Sequence, residues 1–133
     1  MTPLPGDYIL DASAVLAVLL GEPGHEQVRE VLDRCYIHAA NLAEAASKLA
    51  QAGVPEQEVK AAFSELAIPV DETFTEEQAL ACVELARKTR SLGLSLGDRI
   101  CLTVSGWSGS TALTADRRWT QVAGPELKIK VIR

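Results

Sequence analysis

A chain of 133 residues, 47% of them apolar, is long enough to bury one core and too short for two. Its formal charge of -5 argues against a uniformly basic nucleic-acid binder, and no apolar run approaches the roughly 20 residues that a membrane span needs. Cys35, Cys82 and Cys101 are widely spaced and form no C-x-x-C pair, which disfavours a disulfide framework or a thiolate metal site and favours reduced, buried thiols.

Tyr8-Ile9-Leu10 suits a short strand, followed by Asp11-Ala12-Ser13 and an apolar helix from Ala14 to Leu20 that Gly21 closes. Glu22 to Arg34 carries Val28, Val31, Leu32 and Cys35 at helical spacing and predicts one amphipathic helix, leading into a second strand over Tyr36 to Ala39. Asn41-Leu42-Ala43-Glu44 has the spacing of a capping box, so an Ala-rich helix is expected to open there and run to Gly53 and Pro55. A helix from about Glu56 to Ala67 and an extended Ile68-Pro69-Val70 follow. Thr75 to Gln78 is another capping box, opening a helix through Ala79, Val83 and Ala86 that stops at Gly93. Ser95 and Asp98 cap a helix through Ile100 and Val104, and Trp107 to Ser110 reads as a loop whose Trp107 is expected in the core. Ala112-Leu113-Thr114 and Ile129 to Ile132 are strands, while His25 and His38 match no catalytic pattern, His38 being placed on a strand or its edge.

Short apolar strands alternating with helices define an α/β fold: three layers, α/β/α, around a mostly parallel sheet. In such a sheet functional groups gather at the carboxyl ends of the strands. Asp11 ends the first strand, Asp116 lies just past the fourth, and Glu44 and Asp98 each sit in the first turn of a helix, so all four acids are expected in one pocket. Each has a plain structural alternative, as an N-cap, a capping-box member or, for Glu44, an ion pair with Lys48. Those alternatives give no reason for four acids to fall at equivalent edges. Clustered carboxylates repel unless a cation intervenes, and an oxygen-only donor set suits Mg²⁺ or Mn²⁺. Two such ions can drive in-line displacement at a phosphodiester. Charge permits a nucleic-acid partner without requiring one, solvated helix faces being the plain alternative: residues 1–86 hold four Lys and Arg against 15 Asp and Glu, whereas residues 87–133 hold nine against three. A basic face is thus compatible with an acidic chain, and Arg99, Arg117 and Arg118 are candidate phosphate contacts.

Two other families with an acid after the first strand fit less well. A haloacid-dehalogenase-type phosphatase needs a second Asp where this chain has Ser13, and a receiver domain needs an acidic pair ahead of its acceptor, for which Asp7 stands at the wrong end of the strand. Taken in order, "ILDASAVLAVLLGEPG", "NLAEAASKL", "LGLSLGDRICL" and "ALTADRRW" resemble a PIN domain, specifically the VapC-type toxin ribonucleases of toxin–antitoxin pairs, over nearly the whole chain. The resemblance implies a PIN-like fold over a single domain, 1–133, and endoribonuclease activity with one or two Mg²⁺ or Mn²⁺ ions. It also implies a homodimer and inhibition by a cognate antitoxin. By motif it makes Asp11, Glu44, Asp98 and Asp116 the catalytic, metal-binding acids, with Ser13 and Asn41 in support. A non-catalytic PIN-like module that grips RNA or protein is the competing reading, and a nuclease acting on DNA flaps is disfavoured by the small size. The first residues lack a signal-peptide pattern, which places the expected protein in the cytoplasm, away from any membrane.

Overall fold

The computed structural model describes residues 6–133; residues 1–5, on which the reading of no signal peptide partly rests, lie outside it. Five strands form one sheet: β1 (Tyr8–Leu10), β2 (Cys35–His38), β3 (Val70–Asp71), β4 (Thr111–Thr114) and β5 (Ile129–Val131). Their order is β3-β2-β1-β4-β5 and every pairing is parallel. The helices are α1 (Ala12–Leu20), α2 (His25–Glu30), α3 (Ala39–Gln51), α4 (Glu56–Leu66), α5 (Glu76–Lys88) and α6 (Leu96–Ser108), with short 3₁₀ turns at Leu32–Arg34, Arg90–Leu92 and Arg117–Val122.

Strand alternation assigns the two faces. Leu10 lies level with Ile37 and Leu113, and all three pack with Val15, Ala45, Leu49 and Val59 beneath α1, α3 and α4. One residue earlier, Ile9 lies level with Tyr36 and Ala112, and these face Leu85, Cys101, Leu102 and Trp119 beneath α5 and α6. A sheet covered on both sides explains why its strands read as continuous apolar runs. The expected α/β/α layering with a parallel sheet is therefore what the chain adopts.

The local signals held where the partners are neighbours in sequence. Thr75 with Gln78, and Ser95 with Asp98, each form both hydrogen bonds of a capping box. Three expectations are corrected. The Glu22–Arg34 helix shrinks to six residues of α2, because Gly24 at φ 95° sets its start and Val31 at φ -117° ends it. The helix expected from Asn41 begins at Ala39, capped by His38, whose Nδ1 accepts from the Ala40 amide at 3.0 Å. Trp107 and Ser108 belong to the last turn of α6, with Gly109 left-handed behind them, and Trp107 is half-exposed while Trp119 is the fully buried tryptophan.

Candidate active site

β1 lies between β2 and β4, so a crevice opens beyond its carboxyl end where the connections leave toward opposite faces. Asp11 is the first residue past that end. It caps α1 by accepting from the Ala14 amide at 2.8 Å, so the structural alternative for this residue is real and does not displace its place in the crevice. Ser13 Oγ donates to its carboxylate at 2.7 Å and Thr114 Oγ1 at 2.6 Å. The Ser13 hydroxyl also accepts from the Ala115 amide, and the Thr114 hydroxyl from the Asp116 amide. Asp11 is thus tied to the end of β4 directly by Thr114 and, through Ser13, to Ala115 just past it, and is only 3% exposed. Burial pushes its carboxyl up to about 6, against the opposing pull of Thr114, Ser13 and the Ala14 amide, and the nearby charge of Asp98 adds to the rise.

The other three acids surround it. Asp11, Ser13, Glu44, Asp98, Asp116 and Arg118 line one cavity of about 460 Å³, together with Lys48 and Ser95. Glu44 comes from the second turn of α3 and pairs with Lys48 at 3.5 Å. Asp98 comes from the first turn of α6 and accepts from the Ser95 amide at 2.9 Å. Asp116 caps the 3₁₀ turn after β4, and the Arg118 fork holds its carboxyl below the usual range. Asn41 is fully buried behind this wall, donating from Nδ2 to the Gly97 carbonyl at 3.0 Å and so joining α3 to α6. Gly97 leaves room for the Glu44 side chain: a Cβ there would stand 2.5 Å from Glu44 Oε1 and push that carboxylate aside.

Of the arginines singled out in the sequence, only Arg118 reaches the cavity. Arg99 donates to the Leu94 carbonyl at 2.8 Å and Arg117 to the Arg133 carbonyl at 3.1 Å. Lys48 was legible only as an ion-pair partner of Glu44, yet it lines the cavity as its second cation. His38 stays out of the site, its Nε2 donating to the Thr73 carbonyl. Cys101 is buried with its thiol pushed well up by desolvation, which makes it inert. A second hollow of about 470 Å³, between α5, α6 and residues 125–128, is lined by Leu85, Leu102, Trp107 and Leu127 and by none of the four acids.

The donor set fits a hard divalent cation. Four carboxylates line the cavity with two cations, the most buried of them carries no counter-charge of its own and is pushed toward protonation, and the buried amide oxygen of Asn41 has no hydrogen-bond partner among the described residues. In the rotamers present, no three acidic, histidine or cysteine side chains among the described residues converge tightly enough to enclose an ion. The reason is visible in their partners, since Glu44, Asp98 and Asp116 are each turned to a lysine, a backbone amide or an arginine.

Sheet order and site together define a parallel α/β protein with a carboxylate-lined crevice at the centre of its sheet. The family model described as PIN domain matches residues 8–125, and the chain belongs to the PIN domain family. No curated protein matches it. Among solved structures, VapBC of Salmonella typhimurium bound to DNA superposes with a TM-score of 0.74 at 16% identity, covering 96% of this chain and 99% of the other. VapBC2 of Rickettsia felis, bound to a fragment of its promoter, gives 0.72 at 13% identity over 95% and 98%. VapBC-1 of nontypeable Haemophilus influenzae gives 0.70 at 16% identity over 93% and 96%. At these identities the likeness is one of fold.

Proposed function

We propose that this protein is a metal-dependent endoribonuclease, the toxin of a toxin–antitoxin pair, built as one PIN domain over residues 1–133 and acting in the cytoplasm. The observation that carries this reading is the convergence of Asp11, Glu44, Asp98 and Asp116 on one cavity at the carboxyl end of β1. Membership of the PIN family supports nuclease chemistry, and the VapBC complexes that share the fold support a protein antitoxin as partner. No helix among the described residues is long and apolar enough to cross a membrane.

Asp11, Glu44 and Asp98 would hold one or two Mg²⁺ or Mn²⁺ ions, with Asp116 completing a second site or acting through water. A bound divalent cation offsets the charge of the phosphate and makes water a better nucleophile near neutral pH. The chain's own contributions are separable from that. Ser13 and Thr114 fix the Asp11 carboxylate with two hydroxyl donors, and Asn41 sets the distance between α3 and α6, hence between Glu44 and Asp98. Arg118 supplies a fork suited to a phosphate. Two copies of the chain are proposed to form the working unit, with RNA as the substrate.

The test is cleavage of total cellular RNA by antitoxin-free wild type and Asp98→Asn, each with EDTA, Mg²⁺ or Mn²⁺, after circular dichroism confirms that both are folded. Discrete fragments from wild type with metal alone, and at least a hundredfold slower cleavage by Asp98→Asn, are expected, roughly the loss for removing one catalytic charge. A fully active Asp98→Asn, or metal-independent cleavage, overturns the mechanism. RNA bound and never cut would instead favour the binding-module reading.

A further inference from the structure

Arg118 is placed where a cation belongs. Its Nε donates to Asp116 Oδ1 at 2.9 Å and lies 3.1 Å from Oδ2, its Nη2 donates to Oδ2 at 2.6 Å, and its backbone amide donates to Oδ1 at 3.0 Å. Both oxygens of Asp116 are therefore occupied by one residue. The remaining nitrogen, Nη1, donates to the Leu92 carbonyl at 2.5 Å and stands 3.5 Å from that of Gly93, so the side chain bridges from the 3₁₀ turn to the loop between α5 and α6. That loop supplies Gly93 and Ser95 to the cavity wall. None of the other acids in the cavity is held in this way. Glu44 meets Lys48 through a single 3.5 Å contact, and Asp11 is held by hydroxyls and an amide.

We infer that Arg118 is an exchangeable resident counter-ion: it occupies the Asp116 carboxylate while the cavity lacks metal, and a divalent cation arriving at Asp116 displaces its fork, freeing the guanidinium for the RNA phosphate. This rests on the metal-dependent reading above. Competition follows from geometry, because an Asp116 whose oxygens both accept from the guanidinium has no fork-facing lone pair left for an ion. Exchange is feasible because the pair is not locked by burial. The Arg118 side chain is 49% exposed and that of Asp116 23%, so water can replace the guanidinium's hydrogen bonds when the fork leaves the carboxylate. Arg117 provides the internal contrast, an exposed neighbour in the same turn whose side chain is bonded to the Arg133 carbonyl.

The test is calorimetric titration of metal-free protein with Mn²⁺. Arg118→Gln is expected to bind Mn²⁺ about fivefold more tightly than wild type, the upper end of what an exposed ion pair contributes. Arg118→Lys, which keeps the charge and loses the fork, should fall between the two. Arg117→Gln should stay within about twofold of wild type, which separates the specific pair from a general loss of positive charge. In an Asp116→Asn background, Arg118→Gln should no longer tighten binding. An unchanged or weaker affinity in Arg118→Gln, with wild type still binding, makes Arg118 a structural staple and overturns the inference while leaving the metal site standing. Binding by neither protein removes the metal site and the inference together. Should Arg118→Gln fail to fold, the Nε–Hε resonance of wild-type Arg118 decides. It should shift on addition of Mg²⁺ along with the Ala14 amide that reports on Asp11, and an unmoved Arg118 resonance beside a saturated Ala14 shift refutes displacement.

Discussion

Asp11→Asn isolates the energetic consequence of burying a carboxylate at the site. Asp11 is 3% exposed, and burial raises its carboxyl from 3.8 to about 6. The folded protein thus holds a proton that the unfolded chain releases between those two values, so stability falls as pH rises through this window. About two pH units correspond to about 3 kcal/mol, absent near pH 4 and fully in force above about pH 6. Asn cannot ionise and escapes that loss. It also brings an N–H against the Thr114 hydroxyl, which donates to the carboxylate at 2.6 Å, a mismatch costing on the order of 1 kcal/mol at every pH. The informative quantity is therefore the difference between the two proteins as a function of pH. Urea denaturation in EDTA at pH 4, 5, 6 and 7 should show Asp11→Asn gaining about 3 kcal/mol on wild type across the range, roughly 10 °C in Tm for a domain of this size. Saturating Mn²⁺ at pH 7 should shrink the gap by stabilising wild type alone. Parallel pH profiles would show that Asp11 ionises normally and that the site's hydroxyls already solvate it, refuting the reasoning.

Gly97→Ala places a methyl 2.5 Å from Glu44 Oε1. Because the obstructed atom is the end of a flexible side chain, stability should stay within about 1 kcal/mol by urea denaturation, helped by the helix preference for alanine, while Mn²⁺ affinity by calorimetry falls at least about tenfold. Unchanged affinity would mean that Glu44 is not a ligand. Trp119 is fully buried, and its indole N–H has no hydrogen-bond partner among the described residues. Trp119→Ala should cost about 3–5 kcal/mol in denaturant, whereas Trp119→Phe, which strands no partner, should cost less than about half of that.

What the sequence disclosed about this fold divides by the range of the interaction. Ser95 and Asp98 satisfy each other within one turn, so their box was readable from spacing alone. Asn41 and Glu44 have the same spacing and a different fate. Asn41 is spent on the Gly97 carbonyl 56 positions away, and the helix starts earlier on His38. Placement of the acids was legible because strand ends and helix starts converge in any parallel sheet. The directions of Arg99 and Arg117 were not, being decided by the Leu94 and Arg133 carbonyls, whose positions only the folded chain defines. The expectation for Trp107 fails in the same way. A side chain's size predicts that it packs somewhere, but Trp107 lies half-exposed in the last turn of α6 while Trp119, in the turn after β4, is the one buried.

The central place of β1 in the sheet gives the site a timetable. Asp11 is synthesised early with Ser13 beside it, yet the second hydroxyl that fixes it belongs to Thr114, 103 positions further along. A nascent chain halted anywhere before β4 carries Asp11 and Glu44 without the strand that holds the first of them in place, and Asp116 follows later still. On the proposed function, the chain emerging from the ribosome is an unassembled nuclease for most of translation, and the four acids are brought together in one late step, when β4 docks alongside β1 after two strands and six helices have been made between them.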